Sequence, residues 1–189
     1  MGEMEEWAYV LDFMPQGMAA SREAEPLAQV IGTKFFTLLE VILKPGVAVS
    51  IESKVYVGRD KRVEVDRIKR RIGVRELTNT AKTELHPVLK KIVQEREKDF
   101  VQFFNKCGPI SIRLHQLELL PGVGKKHMEQ ILEERELRGF ETFADIRNRV
   151  TLLSDPLNII VTRIARELEG VEKYYLFVKP PLSSKKGLY

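Results

Sequence analysis

The sequence predicts an α+β protein: a small β part over residues 1–78, an all-helical part over 79–170, and a closing strand with a basic tail over 171–189. Three observations carry that reading. Valines and isoleucines alternate with other residues between Val47 and Val57, the period of a strand with one buried face. From Leu85 onward apolar residues recur at helical spacing. Among those helical stripes stands Leu120-Pro121-Gly122-Val123-Gly124-Lys125-Lys126, a turn with two glycines.

In the β part, Trp7 to Met14 is short, apolar and aromatic, and a loop rich in Ala, Gly, Pro and charge runs from Pro15 to about Leu27. Lys34 to Leu43 has apolar groups on both faces, like an interior strand. Lys44-Pro45-Gly46 makes a turn, after which Val47, Val49, Ile51, Val55 and Val57 alternate with Ala48, Ser50, Glu52, Lys54 and Tyr56. A brief strand around Val63 to Val65 follows the charged turn Gly58-Arg59-Asp60-Lys61-Arg62. Short strands joined by tight turns predict an OB-like barrel or sheet. Tyr9, Phe35, Phe36 and Tyr56 could stack on bases, but such residues more often fill the core.

The helical part opens with Leu85, Val88, Leu89, Ile92 and Val93 on one stripe, with Pro87 near the helix start. Phe100, Phe103 and Phe104 follow a charged stretch, and Gly108-Pro109 ends the segment. Ile112, Leu114, Leu117 and Leu120 predict a helix with Ser111 as N-cap. Beyond the glycines, Met128, Ile131, Leu132 and Arg135 mark a second helix. Thr142 and Asp145 read as a capping box for a third. Asp155-Pro156 opens a last helix to about Glu169, closed by Gly170. Tyr174 to Val178 reads as a strand that returns to the N-terminal sheet.

The glycine turn carries the functional reading. Gly122 supplies the positive φ of a reversal, Val123 plugs the gap between two helices, and Gly124 leaves room for a phosphate beside the backbone. The next helix starts there, so its unpaired amides and positive dipole end face an anion, with Lys125 and Lys126 adding charge. Residues 120–126 (LPGVGKK), a helix, then residues 140–146 (FETFADI) resemble the helix-hairpin-helix modules of competence and DNA-repair proteins. That resemblance implies a clamp on one backbone phosphate, with a monovalent cation bridging turn carbonyls as the one cofactor. The connection 152–156 stands where tandem modules carry a second hairpin; it lacks both glycines and presents Asp155. Residues 111–150 hold seven Lys or Arg and seven Asp or Glu, so backbone amides must supply most of this module's grip. A second candidate surface is the block 54–75, net +6, whose Arg59, Lys61, Arg62, Arg67, Lys69, Arg70 and Arg71 could track a phosphate backbone. Such a block is also what a solvated face looks like.

As a whole the chain resembles a family of uncharacterised archaeal proteins, described as candidate RNA- or nucleotide-binding proteins. The stretches that match are VIGTKFFTLLEV (30–41), AKTELHPVLKKIV (81–93), FVQFFN (100–105), RLHQLELLPGVGKK (113–126) and EKYYLFV (172–178). The resemblance implies an OB-like part joined to a helix-hairpin-helix part and favours RNA over DNA.

Composition narrows the classes. Hydrophobic residues make up 43% of the chain, enough for a core and against disorder. One cysteine, Cys107, excludes an intramolecular disulfide and a cysteine zinc site, and His86, His115 and His127 are scattered. No apolar run approaches membrane-spanning length and residues 1–6 are acidic, so the expectation is a cytoplasmic protein with no membrane partner. The expected function is non-enzymatic nucleic-acid binding without sequence preference, with a protein-interaction scaffold in a ribosomal or repair complex as the alternative. A base-excision glycosylase is the remote third: Lys126 falls at the Schiff-base position and Asp145 at about the distance of that superfamily's aspartate, but the capping context of Asp145 differs from it.

Overall fold

A computed structural model describes residues 4–17 and 24–180. Part of the predicted 15–27 loop and nearly all of the predicted tail lie outside them. The chain forms two compact units, residues 1–88 with 166–189, and residues 89–165.

The first unit is a curled five-stranded antiparallel sheet: β1 (Trp7–Met14), β2 (Leu27–Gly32), β3 (Leu38–Leu43), β4 (Lys54–Tyr56) and β5 (Val65–Arg71), in the order β4-β1-β2-β3-β5. One face carries Ala8, Val10, Ala28, Val30, Val41, Leu43, Val55 and Val65, all buried and mostly small or β-branched, as a tightly curved pleat requires. Both faces of β2 and β3 are buried, so no alternation marks them. β1 and β3 run the same way, as do β4 and β5, because neighbouring strands of this sheet pair antiparallel throughout.

Four β expectations need correction. β2 stands just where the predicted loop ends, concealed by its two-sided apolar sequence. The strand expected from Lys34 is only β3. Residues 33–37 turn instead, because the buried Glu5 carboxylate accepts the N–H groups of Lys34, Phe35 and Thr37, each at 3.0 Å. Gly32 makes this approach possible: a Cβ there would lie 2.0 Å from Glu5 Cδ. The 47–57 alternation yields only β4, since Ser53 N–H bonds back to Ser50 O and Glu52 N–H reaches Val10 O. The strand expected at Val63 to Val65 begins only at Val65 and runs to Arg71, carrying four of the candidate basic residues.

The strand expected at Tyr174 to Val178 is absent. The N–H groups of Leu176, Phe177 and Val178 donate to the buried carboxylate of Glu167 (2.7, 3.0 and 2.8 Å), so that ladder is replaced by one side chain. The segment does return to the first unit, where Lys179 N–H donates to Phe35 O and Arg71 to Lys179 O.

The helices are α1 (Asn79–Glu95), α2 (Glu97–Lys106), α3 (Lys125–Leu137), α4 (Phe143–Arg149) and α5 (Pro156–Leu168). The division between units falls inside α1 and α5. Thr78 fixes the start of α1: its hydroxyl donates to Asp12 (2.6 Å) and caps Ala81 N–H (3.0 Å), and its N–H donates to Gln29 (2.9 Å). Because α1 begins there, Pro87 lies inside the helix and not near its start. Of the predicted stripe, Val88, Leu89, Ile92 and Val93 are buried and Leu85 is half-buried.

The helix expected from Ile112 to Leu120, capped by Ser111, is instead a small β-hairpin, β6 (Pro109–Ser111) with β7 (Leu114–His115), then a 3-10 turn (Gln116–Leu119). His115 sets that start. Its Nδ1 accepts Leu117 N–H at 3.1 Å, and Glu118 accepts His115 N–H at 2.8 Å, a reciprocal capping box.

Glu5→Gln places an amide donor among three N–H groups and should destabilise the protein by about 2–4 kcal/mol in denaturant titration. Burial, reinforced by Arg135, holds the His115 imidazole below its ordinary pKa of 6.5. The unfolded chain therefore binds that proton more readily. The contribution of His115 is full above about pH 6.5 and declines as pH falls toward the folded-state value. His115→Asn, which keeps a capping side chain, should flatten that part of the stability–pH curve.

Candidate nucleic-acid interface

Gly122 stands at φ +76°, exposed, and Val123 behind it is buried, as the turn chemistry requires. Val123 N–H closes on Leu120 O at 3.1 Å. Gly124 is the N-cap of α3 in extended backbone (φ −89°, ψ −178°), so its value is space: no atom stands within 4 Å of where its Cβ would be. The first helical bond of α3 is Met128 N–H to Gly124 O at 2.9 Å, and the amides of residues 125–127 precede it. Lys125 and Lys126 are exposed and carry no hydrogen bond or ion pair among the described residues. His127 Nδ1–H donates to Gly122 O at 3.1 Å, so one carbonyl of the cation expected at this turn is already hydrogen-bonded. A groove of about 590 Å³ flanks the turn, lined by Ile112, Arg113, Glu118, Lys125, Met128 and Glu129. Ile112 is fully exposed at the tip of the β6–β7 hairpin, where helical periodicity had placed it on a packed stripe.

Side chains bonded to backbone hold this region. Arg135 donates to Phe104 O (3.1 Å) and Cys107 O (2.9 Å), the C-terminal end of α2. Burial pushes the adjacent Cys107 thiol up to about 11, which keeps it protonated and unreactive. Thr142 caps Asp145 N–H at 3.0 Å. The Asp145 carboxylate accepts from Glu141 N–H (3.1 Å), Arg138 (3.3 Å) and Arg149 (3.3 Å), which engages it in fixing α4.

The basic block is less free than its sequence suggests. Arg70 forks onto the buried Glu40 (2.8 and 3.1 Å) and pairs with Glu76. Arg67 pairs with Glu25 (2.6 Å) and Asp66 (3.1 Å). Arg62 braces its own loop through Gly58 O at 2.9 Å, and Arg59 lies against Met4 Sδ. Arg71 is half-buried, its guanidinium pKa lowered by desolvation. Lys61 and Lys69 remain exposed without a partner among the described residues. β5 is also a sheet edge, where Lys and Arg discourage edge-to-edge pairing. Tyr9 and Phe36 are buried, while Phe35 and Tyr56 are half-buried.

Glu5, Glu40 and Glu167 escaped the sequence reading because an isolated glutamate has no pattern. Their identity as anchors depends on amides and cations brought from elsewhere in the chain.

No helix among the described residues is long and apolar enough to cross a membrane. A family model described as "Protein of unknown function (DUF655)" matches residues 4–179. The chain is 44% identical over 188 residues to the uncharacterised protein MJ0038 of Methanocaldococcus jannaschii, covering 98% of this chain and 83% of that protein. The crystal structure of Af1531 from Archaeoglobus fulgidus superposes with a TM-score of 0.85 at 47% identity, over 93% of this chain and all of that one. With the family model spanning nearly the whole chain, the protein belongs to the DUF655 family of uncharacterised proteins.

Proposed function

We propose that this protein binds nucleic acid through its sugar–phosphate backbone, without reading sequence, and that the Gly122–Lys126 turn is the phosphate clamp. The observation that carries the reading is the open N-terminus of α3. Gly124 blocks nothing, the first-turn amides precede the helical ladder, and Lys125 and Lys126 are unpaired among the described residues. Lys61 and Lys69 offer further phosphate contacts, while Arg67 and Arg70 already have carboxylate partners. That engagement is what favours the second reading, a protein-interaction scaffold in which the basic strand is a protected edge.

Fluorescence anisotropy of the full chain with single- and double-stranded RNA and DNA of one sequence, across a salt series, tests the proposal. The expected log–log salt slope falls by roughly 0.7–0.9 per phosphate neutralised. K125A/K126A should weaken binding and make that slope shallower. A flat salt response would remove the phosphate clamp and leave the scaffold reading.

The glycines separate fold from function. Gly124→Ala adopts allowed backbone in open space and should shift stability by less than about 1 kcal/mol, while its methyl obstructs the phosphate and weakens binding. Gly122→Ala is strained at positive φ and should destabilise by about 1–2 kcal/mol. Chemical denaturation beside each binding curve checks the contrast.

A further inference from the structure

The β unit holds a pocket that the nucleic-acid reading does not use. It occupies about 120 Å³ between the 33–37 turn, β3 and β5, with Phe35, Leu39 and Ile68 as apolar wall. Glu5, Thr37 and Arg71 also line it. Leu39 and Arg71 stand directly opposite each other across the β3–β5 pair, so strand register sets the arginine beside hydrocarbon. All six residues belong to the first unit.

Two polar groups in this pocket have donors to spare. Arg71 is half-buried, and among the described residues its guanidinium makes one hydrogen bond, to Lys179 O, and no ion pair. A guanidinium carries five N–H donors. The Glu5 carboxylate attracts Arg71 without bonding to it, since its oxygens accept the N–H groups of Lys34, Phe35 and Thr37. Thr37 is only 8% exposed, and its hydroxyl has no hydrogen-bond partner among the described residues. Buried hydroxyls are ordinarily bonded and buried charges paired. A hydroxyl and a guanidinium left short on the walls of one apolar pocket mark a place for an acceptor from outside the chain.

The same groups define that acceptor. The edge of a guanidinium matches two coplanar oxygens, and Thr37 adds a further donor. Phosphate suits the pocket poorly, because its oxygens point to all sides and those facing Phe35, Leu39 and Ile68 would stay unbonded. A carboxylate keeps both oxygens at one end and offers hydrocarbon at the other. Size follows from volume: an apolar cavity of about 150 Å³ holds benzene, and this pocket is a little smaller. Lys34 and Lys179 hold their ammonium groups 4.9 and 5.9 Å from the Phe35 ring centre, which adds positive charge around the site.

We propose that this pocket binds a small aliphatic monocarboxylate of about four or five carbons, its carboxylate on Arg71 and Thr37 and its hydrocarbon on Phe35, Leu39 and Ile68. The inference is independent of the phosphate clamp, which lies in the other unit.

Titration of the full chain with isobutyrate, read by calorimetry and by thermal unfolding, tests it. Isobutyrate should saturate one site with a Kd of about 1 mM or tighter and raise the unfolding temperature. Isobutanol lacks the charge, acetate lacks the hydrocarbon, and phosphate lacks an apolar face; each should bind weaker by on the order of tenfold or more. Thr37→Val keeps the shape and should unfold at the wild-type temperature or above it, while isobutyrate affinity falls about tenfold. Arg71→Gln should abolish saturable binding, and K125A/K126A should bind isobutyrate as wild type does. Folded wild type without saturable isobutyrate binding would overturn the proposal. Undiminished affinity in Thr37→Val, a variant that decides even where Arg71→Gln does not fold, would place the acid elsewhere and overturn it too. Phosphate binding as tight as isobutyrate would make this a general anion site, and loss of isobutyrate binding in K125A/K126A would move it to the α3 turn; either result overturns the assignment.

Discussion

A carboxylate buried among backbone N–H groups is the interaction on which the β unit depends. A buried charge without partners is costly, and three charge-assisted hydrogen bonds offset that cost while specifying the backbone around it. Glu5 does this for residues 33–37, where the chain reverses between β2 and β3. Glu167 does it for residues 176–178 and so draws the C-terminal segment back to its own unit. Gly32 is a consequence of the first anchor, since any side chain there would occupy the space of the Glu5 carboxylate. Glu40 is satisfied by side chains instead, through Gln29 and Arg70, and this converts a basic residue of β5 into a structural one.

The helical unit solves a related problem with less burial. Of the 13 residues of α3 only Ile131 is buried, so its hydrophobic face cannot by itself set its position. Side chain-to-backbone bonds do that. Arg135 ties it to the end of α2, Gln130 to the turn after α4, and Arg149 reaches back to Glu134 (3.0 Å) and Arg138 O (2.8 Å). Asn105 receives and donates a bond with the backbone of Phe140, and Glu97 accepts the N–H of Phe143. A helix held this way leaves its first-turn residues Lys125 and Lys126 exposed.

The charge pattern shows how composition and function part company. Residues 54–75 carry a net charge of +6, a field that a polyanion would sense from a distance. At short range Arg67 and Arg70 already face carboxylates and Arg62 faces carbonyls, leaving Lys61 and Lys69 as the candidates of that group without partners among the described residues. The near-neutral region around Gly122, weaker by charge count, leaves open space at Gly124 and the first-turn residues Lys125 and Lys126 exposed.

Local rules read well where local physics decides. Gly122 at positive φ, buried Val123, the Thr142 cap and the stripe of α1 were all legible from spacing and residue type, because each depends on neighbours within one or two turns of chain. Much of the remainder was not. β2 has no alternation because both its faces are covered, and Tyr174 to Val178 has strand composition but gives its amides to Glu167. Ile112 has helical spacing but sits on a hairpin, since the His115–Glu118 box starts the next turn three residues later. Residue type and spacing are enough for the α+β class, the glycine turn and the helix that follows it. Which charges stay free, which glutamates become anchors, and that Leu152 stands at a positive φ are settled only once the chain is folded. Those outcomes depend on groups far apart in sequence meeting at hydrogen-bond distance, and residue spacing carries no record of such meetings.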